Sequence, residues 1–293
     1  MTGSERAGWC LAGPALAAIG AFFLLPVCAG LALSLTDFDL YTIADVHNLR
    51  FVGLRNYARL LETPLFWRAL GNTAFFVVAG VPASIAVSLA TALLLHSRLT
   101  RCARLFRTAL FAPVVTTLVA VAVIWMYLLH TRYGLLNHAL GLVGLGRIDW
   151  LGDPRWAMPA IALFAVWKNF GYNMVIFLAA LQAIPADLYE AARIDGATPA
   201  QQFRFVTVPS LAPTLLLVSL LTVAGYFQLF AEPYVMTQGG PLQSTTSILY
   251  LMYEEGFQAW NLGSASAVAF VLFLLLLLLT RVQLRLARRW SAA

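Results

Sequence analysis

Charge is scarce in this chain: Asp, Glu, Lys and Arg make up 11% of its 293 residues, against 61% hydrophobic, and mean hydropathy is +0.79. That balance excludes a soluble globular domain and places the chain in the membrane class. Lysine is scarcer still, because Lys168 is the only one. A phosphate-binding Walker loop needs a lysine preceded by glycine, and Trp167 precedes Lys168, so the chain does not hydrolyse ATP by that route. Cysteine is limited to Cys10, Cys28 and Cys102, with neither metal-ligand spacing nor a secreted framework. Cys10 and Cys28 would stand about 27 Å apart along one helix, beyond disulfide reach. His47, His96, His130 and His138 scatter over connecting segments and form no metal or general-base constellation. No nucleophile and base pair or carboxylate cluster points to a membrane enzyme. A net charge of +6 raises nucleic acid as a partner, but the basic residues are dispersed between apolar runs and form no stripe, which argues for no nucleic acid.

What is present is a series of long apolar runs. They predict an all-α, polytopic membrane protein with six transmembrane helices at about 9–35, 69–95, 108–129, 157–182, 211–230 and 263–280, one domain over 1–293. The first run exceeds the apolar core of a signal peptide and lacks a convincing cleavage site, so an uncleaved span is expected. Gly80, Ser84, Ser88 and Thr91 fall at helical spacing in the second, the pattern of close helix packing. Pro113 interrupts the third early, and Gly239-Gly240-Pro241 marks a turn between the fifth and sixth. Arg98, Arg101, Arg104 and Arg107 crowd the loop after the second span with no acid among them, which places that loop in the cytoplasm. Arg281, Arg285, Arg288 and Arg289 read as a cytoplasmic anchor near anionic membrane lipid, so both termini are expected inside.

Polar residues within spans are costly and few. Lys168 lies near the middle of the fourth span, where a charge facing lipid costs about 2.5–3.5 kcal/mol. It must therefore face protein or a wet cavity. Two readings fit: a packing lysine reaching Glu232 or a backbone carbonyl, or a direct part in a solute pathway. Asn169, Tyr172 and Asn173 share one face of the same helix, and Ser219, Thr222 and Tyr226 share one face of the fifth. Such stripes serve either interhelical hydrogen bonding or, with Trp167, the lining of a path for a sugar, which needs polar groups and aromatic faces.

Between those spans lies a polar segment, 183–210, with helix punctuation throughout. Pro185 suits the first turn of a short helix and Gly196 its left-handed end. Thr198, Pro199 and Gln201 have the spacing of a capping box that starts a second helix at once. Ala191 and Ala192 leave a smooth patch flanked by Glu190 and Asp195, suited either to the membrane interface or to a partner. The spacing of Glu190-Ala191-Ala192, Gly196, Val206 and Val208-Pro209 resembles the EAA loop of permease subunits in binding-protein-dependent ABC importers. Val206 and Val208 stand where that family usually has Ile and Leu. Phe51-Val52-Gly53-Leu54, Asn56-Tyr57, Phe66-Trp67, Ala69-Leu70, Asn72-Thr73, Gly134-Leu135-Leu136-Asn137, Asp149-Trp150-Leu151-Gly152, Leu181-Gln182-Ala183-Ile184-Pro185 and Gly239-Gly240-Pro241 are similar in order and spacing to sugar permeases of the maltose and glycerol-3-phosphate type.

The resemblance implies a type I ABC importer permease in the bacterial plasma (inner) membrane. It would form half of a translocation pathway for a sugar or sugar-derived solute. Its implied partners are a second permease subunit, two ATPase subunits or an ATPase dimer, and an extracytoplasmic solute-binding protein. No cofactor is implied for this chain, since ATP and Mg belong to the ATPases. Glu190, Ala191, Ala192, Asp195 and Gly196 would couple to the ATPase, and Trp167, Gly171 and Tyr172 match the family in the helix expected to line the cavity. The rival is an ion-coupled secondary carrier in which Lys168 answers a gradient. Such a carrier needs no docking loop.

Overall fold

The computed structural model describes residues 3–45, 47, 49–97 and 102–290. Arg98 and Arg101 lie outside the described residues, as do the side chains of Arg288 and Arg289. Among the described residues, four helices are long and apolar enough to cross a membrane: α1 (Leu11–Ser34), α3 (Pro64–His96), α6 (Ala157–Gln182) and the Leu262–Leu286 stretch of α11 (Leu262–Trp290). A short helix, α2 (Arg55–Glu62), precedes α3. Two bent pairs of helices meet the same test of length and apolarity together. α4 (Ala103–Val115) turns 101° into α5 (Leu118–Leu128), and α8 (Pro199–Ser210) turns 64° into α9 (Ala212–Phe227). Counting each pair once gives the six spans that the apolar runs predict.

Boundaries move where hydropathy is a poor guide to backbone. α3 begins at Pro64, not near 69, because proline is well suited to a first helical position and a helix carries Arg68 without breaking. α11 runs on to Trp290 through the arginines that end the apolar run near 280. Prolines also explain two widened turns. A π turn at Gly20–Leu24 comes just before Pro26, and another at Phe203–Thr207 just before Pro209. A proline ring clashes with the carbonyl four residues back, and widening the preceding turn relieves it.

The contacts divide the chain into two compact units, residues 1–67 with 251–275 and residues 68–250 with 276–293. In the first, Asn56 of α2 is buried against the end of α1 and donates Nδ2 to the carbonyl of Ser34 (2.9 Å), an acceptor that the helix terminus leaves open, and to that of Thr36 (2.7 Å) just beyond it. Gly263 fits where it does because a Cβ there would strike the Thr36 carbonyl oxygen. In the second unit the core is built by α3, α6 and α9, where Ala92, Leu95, Met174, Phe177, Leu178, Leu181, Leu211 and Val218 meet. The small residues of α3 serve this packing. Ser84 and Ser88 are buried, and Ser88 Oγ donates to the Phe170 carbonyl at 2.9 Å. Outside the core, Arg68 and Asn72 hold the turn after Gly239-Gly240-Pro241 through the carbonyls of Leu242, Gln243 and Thr246. Asn137 closes the connection after α5: its Nδ2 donates to the carbonyls of Thr131 and Ile148, and its Oδ1 accepts from Ile148 N and Trp150 Nε1.

Candidate functional site

Two features carry the chemistry, a cavity between α6 and α9 and the bent segment that joins them. The cavity measures about 410 Å³. Asn169, Tyr172 and Asn173 of α6 line one side, and Thr222 and Tyr226 of α9 the other. Their helices face each other closely enough for Asn173 Nδ2 to donate to Thr222 Oγ1 at 3.0 Å. Asn169 Nδ2 is turned to its own helix and donates to the Ala165 carbonyl at 3.0 Å. Tyr226 stacks on Phe76 of α3 at 4.9 Å between ring centroids, which supplies a flat apolar wall. Amides, hydroxyls and aromatic faces thus converge on one space, the combination that recognises a polyhydroxylated solute.

The two stripes therefore do both things weighed from their spacing, pairing across helices and lining a cavity. Trp167, Lys168 and Ser219 lie outside that lining. Trp167 packs against Trp125 at 5.4 Å between centroids, and Ser219 Oγ donates back to the Leu216 carbonyl at 2.8 Å. Lys168 is 6% exposed and donates Nζ to the carbonyls of Pro113 (2.7 Å) and Val114 (3.2 Å), so the backbone-carbonyl reading is the one its geometry follows. Phe76, Val114, Gln228 and Glu232 also line it, and the stripes did not point to them. Glu232 opens a short helix, α10 (Ala231–Met236), beyond the end of α9. Burial pushes its carboxyl above the usual carboxylate range, while its own backbone N–H and the Lys168 charge pull it back in part. A lone acid in an apolar stretch is the signal that marks it in sequence.

The bent segment forms as its punctuation predicts. α7 (Ala186–Ile194) has Pro185 as its N-cap, one position before the first turn expected for it. It ends at Gly196 with φ +78°, where Ala197 N donates to the Ala192 carbonyl and Gly196 N to the Arg193 carbonyl. Those two bonds are the Schellman pattern, which satisfies carbonyls that the helix end leaves over. Thr198 and Gln201 make both bonds of the capping box, and Pro199 opens α8. The two arms are tied by Tyr189 Oη and Thr207 Oγ1 at 2.9 Å and by Gln202 Nε2 donating to the Ala197 carbonyl at 2.9 Å. Such ties let the segment move as one piece. Its outer surface is more apolar than its composition implied, since Ile194 is 86% and Phe205 68% exposed beside Glu190, Ala191 and Asp195. Apolar side chains presented among charges are the composition of a protein-binding patch.

A family model described as the binding-protein-dependent transport system inner membrane component matches residues 80–292. The chain is 37% identical over 287 residues to a lactose transport system permease protein of Rhizobium radiobacter, covering 96% of this chain and 94% of the relative. It is 35% identical to a trehalose/maltose transport system permease protein of Thermococcus litoralis, covering 97% and 94%, and 36% identical to an sn-glycerol-3-phosphate transport system permease protein of Pectobacterium atrosepticum, covering 92% and 89%. Among solved structures, a bacterial ABC transporter involved in the import of the acidic polysaccharide alginate shares the fold, with TM-score 0.80 and 22% identity over 98% of this chain and 97% of that one. Membership on this scale leaves the ion-coupled carrier without support. The chain belongs to the binding-protein-dependent transport system inner membrane component family, as a membrane-spanning permease subunit of an ATP-driven ABC importer and not an enzyme in its own right.

Proposed function

We propose that the chain, as one permease domain over 1–293, lines half of an import path for a sugar or sugar-derived solute. The observation that carries this reading is the cavity in which Asn169, Tyr172, Asn173, Thr222 and Tyr226 face one space. The sugar and glycerophosphate names of the relatives support the same class. Trp167, Lys168 and Ser219 act behind that lining. A second permease completes the path, an extracytoplasmic binding protein delivers the solute, and two ATPase subunits bind ATP and Mg. Both termini and the segment 183–210 face the cytoplasm of a bacterial inner membrane. Glu190, Ala191, Ala192, Asp195 and Gly196 dock on an ATPase, whose closure tilts α6 and α9 and exposes the cavity to each side in turn.

The test is uptake into proteoliposomes that hold the permease pair, the ATPase and the binding protein, with radiolabelled lactose, maltose and glycerol 3-phosphate as probes. ATP-dependent uptake of at least one probe, lost when the ATPase is omitted, is the expected result. Uptake that ignores the ATPase and collapses with a protonophore contradicts the coupling, and ATP-driven uptake of amino acids with none of these probes contradicts the solute class.

A further inference from the structure

The third apolar run breaks midway along its length, and at membrane depth a break has to be satisfied by protein. α4 ends at Val115, the chain passes through extended residues at Thr116 and Thr117, and α5 leaves at 101°. The last four carbonyls of a helix have no partner within it, and lipid supplies none. Two of them, Pro113 O and Val114 O, receive the ammonium of Lys168, and Thr116 Oγ1 also donates to Pro113 O at 2.7 Å. A cation at that place also meets the negative end of the α4 dipole.

Contact between the helices is close one turn further along α6. A Cβ on Gly171 would strike the Leu110 carbonyl oxygen and stand 3.2 Å from Phe111 Cα. Lys168 and Gly171, three residues apart, thus face α4 together, while Asn169, Tyr172 and Asn173 face the cavity. Val114, whose carbonyl Lys168 holds, lines that cavity. The lysine stands behind the wall and holds one of its parts.

We propose that Lys168 is a positioning residue for transport: its ammonium fixes the break of the third span through the Pro113 and Val114 carbonyls, and so sets the cavity wall without contacting solute. This rests on reading the cavity as the solute path. Methionine at 168 keeps the stem but removes the donor, leaving the Val114 carbonyl without it and the Pro113 carbonyl with Thr116 Oγ1 alone. Arginine keeps the charge and offers donors to both carbonyls.

The experiment uses the importer reconstituted with its partner subunits and reads ATP hydrolysis against binding-protein concentration. That readout needs no transported probe, so it stands even where lactose, maltose and glycerol 3-phosphate are all refused and the solute reading fails. Lys168→Met is expected to lower the maximal stimulated rate about tenfold, with the half-stimulating concentration of binding protein within about twofold of wild type, because docking outside is untouched. Lys168→Arg is expected to keep at least about half the rate. Lys168→Met within about twofold of wild type overturns the proposal, as does an assembled Lys168→Arg as slow as Lys168→Met. Should Lys168→Met fail to assemble, recovery of assembly in Lys168→Arg supports the assignment, and its absence overturns it.

Discussion

Uptake falls below about a tenth of the wild-type rate when Gly196 becomes valine, while the chain still inserts and is recovered in the complex. The residue sits at φ +78° with open space where a side chain would go, so no clash is involved. The whole penalty is conformational. An L-residue in the left-handed region costs about 1–2 kcal/mol, and a β-branched one is a true outlier there. Relief comes by turning the backbone out of that region, which breaks the Ala197-to-Ala192 bond and swings α7 relative to α8. Each 1.4 kcal/mol is about a factor of ten, which sets the size of the loss. Asparagine tolerates the same conformation, so Gly196→Asn should retain most of the uptake that valine loses. Equal loss in both would show that the surface tolerates no side chain there, and normal uptake with valine would show that the bend does not matter. Glu190→Lys addresses the surface itself. The Glu190–Arg193 pair is 4.0 Å apart with both side chains exposed, so it adds little to stability, and a loss of uptake on charge reversal reports a partner contact.

Gly171→Leu is expected to abolish assembly altogether. Where a flexible side chain meets a new Cβ, it can move aside at modest cost. Here the obstacle is the backbone oxygen of Leu110 with Phe111 Cα beside it, and both belong to the helix that Lys168 holds. Overpacking of this kind costs about 1–3 kcal/mol even in cores that yield. Gly171→Ala should leave a complex with a lower unfolding temperature, and leucine none that survives size-exclusion chromatography. A leucine variant with wild-type yield and thermal stability would mean that α4 and α6 do not approach as closely as this.

Local chemistry made the bent segment readable. Gly196, Thr198, Pro199 and Gln201 lie within five positions of one another, so a cap or a left-handed turn is visible from spacing alone. The helix of the fourth span covers 157–182, with Trp156 as its N-cap and Ala183 as its C-cap, and carries Lys168, Asn169 and Asn173 within an otherwise apolar run. The break after Pro113 is different. A proline warns of a kink, but the 101° turn depends on what satisfies the freed carbonyls, and the donor lies 55 residues away at Lys168. The cavity is legible only by halves for the same reason. Asn169, Tyr172 and Asn173 announce themselves by helical spacing, whereas Phe76, Val114, Gln228 and Glu232 reach the same space from other helices, and no periodicity links them. Exposure of Ile194 and Phe205 likewise depends on how the segment folds back on itself, through ties such as Tyr189 Oη to Thr207 Oγ1, which a linear reading does not contain.

The central claim is that residues 186–210 receive the motion of an ATPase. A chain with Cys10, Cys28 and Cys102 replaced and a single cysteine at Ala191 tests it most directly, by disulfide crosslinking to cysteines placed across the membrane-facing cleft of the ATPase subunit in the assembled importer. The account predicts a crosslink whose yield changes as ATP is bound and hydrolysed. No crosslink at any cleft position, or labelling of Ala191→Cys by a membrane-impermeant reagent added from outside intact cells, would contradict it.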